Sequence, residues 1–123
     1  MKGPRILMIM CDPYLAGIYG RKFELAGWQT SVAEEVVDGE RQAAKVPPAI
    51  LLLDIDCVAD PVDEVKRLRS LPTLIRTKIV LLAQDADRPL IESVLRAGAD
   101  DMLLLGHFVP QETVEKMQRL LKS

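Results

Sequence analysis

The apolar positions of this chain fall into short, dense runs separated by stretches with helical spacing. Residues 5–11 (RILMIMC) are almost continuously apolar and end at Asp12 and Pro13. That is the pattern of a strand covered on both faces, followed by a helix with Asp12 as N-cap and Pro13 in its first turn. The helix is expected to turn Leu15, Ile18, Tyr19 and Leu25 inward and to stop near Gly27. Residues 28–33 alternate apolar with polar as an edge strand does, and a helix is predicted over residues 35–46. Pro47 and Pro48 break the chain before residues 49–54, a buried-type strand that runs straight into Asp54. Val62, Val65 and Leu68 mark a third helix, residues 78–83 a fourth strand, and residues 87–97 a helix closed by Gly98. Residues 101–105 form a fifth strand, and Pro110 opens a last helix whose inner face is Val114, Met117, Leu120 and Leu121.

Strands and helices alternating through short crossovers predict an α/β domain spanning residues 1–123, a doubly wound five-stranded parallel sheet with helices on both faces. Such sheets place ligands beyond the carboxyl ends of their strands. The residues to inspect are therefore Met10, Cys11 and Asp12, then Asp54, Ile55 and Asp56, then Leu82 and Ala83, and finally Leu105, Gly106 and His107.

Composition narrows the function. A formal net charge of −2 gives no general attraction to nucleic acid or to an anionic membrane, and a 4% aromatic share argues against a base-stacking surface. The apolar runs are far shorter than the roughly 20 residues that span a bilayer, and the first run lacks a signal-peptide cleavage site. A cytoplasmic location is expected, with no membrane and no direct nucleic-acid partner. No Ser/His/Asp arrangement, phosphate-cradling glycine loop or paired catalytic acid can be assembled, so the chain is not expected to be an enzyme. Cys11 and Cys57 follow adjacent strands, but their spacing matches no zinc signature, and free, buried cysteines are the expectation. His107 reads as a loop residue.

Four segments in order resemble the receiver domain of bacterial response regulators. ILMIMCDPYL, from Ile6, is similar to the first strand and turn of that family, and LLLDI at residues 51–55 to its phosphoacceptor strand. KIVLLAQD at residues 78–85 resembles its fourth strand and loop, and AGADDMLLLGH, from Ala97, the family's AGADDYLLKPF. The resemblance covers essentially the whole chain. It implies the flavodoxin-like (CheY-like) sheet order 2-1-3-4-5 and the role of a two-component phosphorelay receiver, with Asp54 at the phosphoacceptor position.

The same correspondence exposes departures. The acidic pair that holds magnesium in the family falls on Met10 and Cys11, the hydroxyl residue on Leu82, the lysine on Leu105, the following proline on Gly106, and the aromatic switch residue on Met102. Phosphoryl transfer depends on positioning and on cations that neutralise oxygen charge, and a hard magnesium ion prefers oxygen ligands to sulfur. The expectation is therefore a degenerate receiver with no cofactor, acting as a phosphorylation-independent protein interaction module. The alternative is an active receiver taking a phosphoryl group on Asp54 from a histidine kinase, with Mg2+ held atypically by Asp12, Asp54 and Asp56. Asp54 itself reads either as a desolvated carboxyl of raised pKa or as a solvated strand-end residue. Partners are expected to be a signalling protein or histidine kinase, or a second copy meeting the 88–119 face that displays Arg88, Glu92, Arg96, Glu112, Lys116 and Arg119.

Overall fold

A computed structural model of the protein describes residues 3–105 and 109–122. In chain order the elements are β1 (Arg5–Ile9), α1 (Pro13–Leu25), β2 (Gln29–Ala33), α2 (Val36–Lys45), β3 (Ile50–Asp54), α3 (Pro61–Ser70), β4 (Lys78–Ala83), α4 (Arg88–Ala97), β5 (Asp101–Leu104) and α5 (Pro110–Leu121). One-turn 3-10 helices at Ile55–Cys57 and Pro72–Leu74 follow β3 and α3. The five strands pair in parallel in the order β2-β1-β3-β4-β5, the expected doubly wound sheet.

Alternating side chains of the strands feed two apolar layers. Ile6, Met8, Ile50, Leu52, Val80 and Leu82 point to the side of α1 and α5, where they pack with Tyr19, Phe23, Val114 and Met117. Leu7, Ile9, Leu51, Leu53, Ile79 and Leu81 point to the other side, against Ala43, Val65, Leu68 and Val94 of α2, α3 and α4. Every residue of central β3 is buried, whereas edge strand β2 has only Ala33 buried.

Two details of the sequence reading are corrected. β1 ends at Ile9, so Met10 and Cys11 lie beyond the strand, although the Met10 N–H still reaches the Ala33 carbonyl at 3.0 Å. Leu25 is 70% exposed, and Phe23 takes the inward place assigned to it. The buried set of α1 is Ala16, Tyr19, Gly20 and Phe23. Those positions recur at helical spacing, and at about 100° per residue Leu25 is turned well away from that stripe. Phe23 meets Trp28 edge-on, with ring centroids 5.1 Å apart.

At the amino edge of the sheet, Arg69 at the end of α3 ties three elements together. Its guanidinium donates to the carbonyls of Gly98, Leu74 and Thr77 at 3.0, 3.1 and 2.9 Å and pairs with Asp100 at 2.7 Å. Asp100 in turn accepts the backbone N–H of Ile79 at 2.8 Å. Gly98 ends α4 at φ +125°, a left-handed conformation that side chains disfavour, and a Cβ there would press on the Arg69 stem at 3.0 Å.

Candidate functional site

At the opposite edge, β3 delivers Asp54 to the centre of the carboxyl end, in register with Leu82 of β4. Asp54 is 5% exposed. Its carboxylate accepts the backbone N–H of Asp56 at 2.9 Å, which caps the 3-10 turn Ile55–Cys57. Burial pushes the Asp54 carboxyl above the usual carboxylate range; the Asp56 N–H pulls it partly back, and the charges of Asp56 and Asp12 push it up again. Of the two readings of this residue, the geometry matches the desolvated one.

Asp12 caps α1, its carboxylate accepting the Tyr14 N–H at 2.9 Å. Met10 is fully buried and Leu82 is 1% exposed, and both belong to the apolar layer beneath α1 and α5. Leu105, half-buried, packs against that same layer. Three of the positions where the resemblance places an acid, a hydroxyl and a lysine thus belong to one apolar layer, with Leu82 in register with Asp54. Met102 lies elsewhere: it packs against the layer of α2, α3 and α4, so Leu82 and Met102 face opposite sides of the sheet. Gly106 and His107 lie outside the described residues.

The cysteines overturn the expectation of free, buried thiols. Cys11 and Cys57 form a disulfide, with Cα atoms 5.7 Å apart, inside the range that such a bond spans. The pairing Ile9↔Leu53 between β1 and β3 brings the two loops alongside each other, and the 3-10 turn carries Cys57 back towards Cys11. Cys11 is exposed and Cys57 half-buried. The backbone N–H of Cys11 also donates to Cys57 Sγ at 2.8 Å. Position after adjacent strands was visible in the sequence, but spacing contains no information on pairing.

The positions of the family's acidic pair offer a magnesium ion no carboxylate. The thioether of Met10 is turned into the core and the sulfur of Cys11 is bonded. Asp12 and Asp54 each serve a backbone N–H, and among the described residues no three His, Cys, Asp or Glu side chains gather as a ligand set.

A second buried acid escaped the sequence reading altogether. Glu64 of α3 is 8% exposed and faces Glu40 of α2. Its carboxyl is pushed up to about 8, first by burial and then by the hydrogen bond and charge of Glu40, with Arg67, 3.8 Å away, pulling it partly back. Glu40 is held below its ordinary value by that hydrogen bond and by Arg67, whose Nη2 lies 3.1 Å away. Of the two carboxyls, Glu64 is thus the one whose charged form the packing disfavours. Nothing in residue type marked Glu64, because the approach of Glu40 from α2 is not visible along the chain.

No family model matches the chain. It is 28% identical over 123 residues to the transcriptional regulatory protein PrrA of Mycobacterium leprae, covering 99% of this chain and 52% of that protein. The chain therefore spans about half the length of this curated relative. Among solved structures it superposes on a CheY-like receiver domain protein of Methanospirillum hungatei with a TM-score of 0.87 at 19% identity, covering 97% of this chain and 94% of that one. An orphan response regulator of H. pylori matches with a TM-score of 0.88 at 16% identity, over 98% and 99% of the two chains. At such identities these structures establish the fold.

Proposed function

We propose that this chain, a response-regulator receiver (CheY-like) domain in fold and sequence likeness, is the receiver of a two-component signalling protein that works without phosphorylation, as a non-enzymatic interaction module in the cytoplasm. The observation that supports this is the apolar character of Met10, Leu82 and Leu105, packed in one layer, with Leu82 in register with the buried Asp54. An aspartyl phosphate there would add about −1.5 to −2 charges next to Asp56 and Asp12, the two carboxylates that already raise Asp54 by repulsion. Two unit charges about 5 Å apart at an effective dielectric near 20 repel by roughly 3 kcal/mol. The groups that would offset this in the family, a metal-binding acid pair and a lysine, are replaced by methionine, a bonded cysteine and leucine.

The partner is a signalling protein, a histidine kinase among the candidates, or a second copy docking on the face of Arg88, Glu92, Arg96, Glu112, Lys116 and Arg119. With leucine at position 82 and methionine at 102, packed in different layers, association through this face is constitutive.

The test is incubation with a small acyl phosphate and magnesium, followed by intact mass. The native chain should gain no phosphoryl group and should sediment identically with and without the donor. The combined variant Met10→Asp, Cys11→Asp, Leu82→Thr and Leu105→Lys should become labelled, because metal, hydroxyl and lysine act on one transition state and are not additive. Efficient labelling of the native chain that Asp54→Asn abolishes would establish the alternative, a phosphoryl-accepting receiver.

A further inference from the structure

We propose that Cys11 and Cys57 are a reversible dithiol–disulfide couple, a redox input built into the carboxyl edge of the sheet. This goes beyond the phosphorylation-independent reading and does not depend on it. The bond joins the loop between β1 and α1 to the 3-10 turn after β3. Asp12 and Asp54, the caps of the elements that follow, flank it. Cys11 is exposed, so an external thiolate has access to its sulfur.

The exchange balances as follows. A thiolate attacks Cys11 Sγ, a new sulfur–sulfur bond forms to that atom, and the Cys11–Cys57 bond breaks. The electron pair leaves on Cys57 Sγ, where the Cys11 backbone N–H already points at 2.8 Å, and it then takes a proton from water. A second thiol resolves the mixed disulfide. The protein disulfide is thus reduced by two electrons while two thiols are oxidised to a disulfide; reoxidation by a low-molecular-weight disulfide runs the steps backwards.

Reduction has a structural outlet. Cys57 lines a surface cavity of about 280 Å³ with Val36, Val58, Asp63, Glu64 and Arg67. Cutting the bond removes the covalent tether of that wall to the loop between β1 and α1 and leaves the buried sheet layers intact. The disulfide is peripheral to both apolar clusters, so the reduced chain keeps its fold. Asp12 adjoins Cys11 and Asp56 adjoins Cys57 in the chain, and Asp54 caps the turn that holds Cys57, so cationic thiols should exchange faster than anionic ones.

The experiment uses the full oxidised chain, with no denaturant and no phosphodonor, so that its outcome is separate from that of the labelling test. The chain is treated with cysteamine, mercaptoethanol or mercaptopropionate, alkylated and weighed, and amide hydrogen exchange is followed in parallel. Both cysteines should become alkylated, with cysteamine about fivefold faster than mercaptopropionate per thiolate at low salt and the gap closing as salt is raised. Exchange in residues 10–14 and 54–60 should rise about tenfold while residues 78–83 stay protected, and a low-molecular-weight disulfide should restore the slow pattern. The double variant Cys11→Ser with Cys57→Ser should show the fast pattern under all conditions. A bond that resists thiols until denaturant is added would overturn the proposal. So would loss of protection throughout the sheet on reduction, or unchanged exchange around both cysteines.

Discussion

The two edges of the sheet treat their ionisable groups in opposite ways. At the amino edge, Asp100 is buttressed by a guanidinium and a backbone N–H, and Arg69 spends its remaining donors on three carbonyls. At the carboxyl edge, Asp54 is more deeply buried yet has one backbone N–H and two like-charged neighbours. A half-exposed ion pair with a full set of partners locks elements together, whereas a buried carboxylate left with repulsive neighbours is a source of destabilisation. Glu64 stands between the two: it is buried beside another carboxylate, and burial together with Glu40 raises its carboxyl to about 8.

The most damaging change should therefore be at the amino edge. Arg69→Ala removes the ion pair and leaves the Gly98, Leu74 and Thr77 carbonyls without that donor. It is expected to cost about 2–4 kcal/mol of stability, read by urea unfolding. A loss below about 0.5 kcal/mol would show that water replaces the guanidinium freely and that the contrast between the edges is weaker than the geometry indicates.

Glu64→Gln should sharpen the comparison through pH. The folded-state value of Glu64 is raised from 4.5 to about 8. The protonated form is therefore the one that folding favours: its contribution is complete below the unfolded value and is lost as pH rises through the folded one. Glu40, lowered in the fold, has the opposite dependence at acid pH. The glutamine variant imitates the protonated acid, so it should match the native chain near pH 5 and exceed it by about 1–3 kcal/mol above pH 8. Parallel stability curves for the two chains across this range would place the proton elsewhere.

The smallest effect is expected at Asp54. Its value is also raised by burial, so its contribution likewise falls as pH rises through the folded-state value. Asp54→Asn should raise stability at neutral pH by about 0.5–1.5 kcal/mol, because asparagine still accepts the Asp56 N–H without a buried charge. Thermal unfolding at pH 7 against acid pH would check it, and a destabilised variant would mean that the carboxylate has a favourable partner after all.

The order of strands and helices was legible in residue patterns because each element declares its own periodicity. Apolar runs of five or six residues bounded by turn residues fit strands covered on both sides, and Asp12, Asp87 and Pro110 mark helix starts through local signals. Position at the carboxyl edge followed from the topology, so Asp54 was found before any coordinate. What the sequence left open depends on the third dimension. The inward place on α1 belongs to Phe23 and not to Leu25, because helical spacing from Ala16, Tyr19 and Gly20 turns Leu25 to solvent once that stripe is set against the sheet. The Cys11–Cys57 bond, 46 residues apart in the chain, and the raised carboxyl of Glu64 each arise from the meeting of separate elements, β1 with β3 and α2 with α3. Local pattern determines what a segment becomes, while pair distances and desolvation, which set both sulfur chemistry and acidity, exist only once the segments have packed.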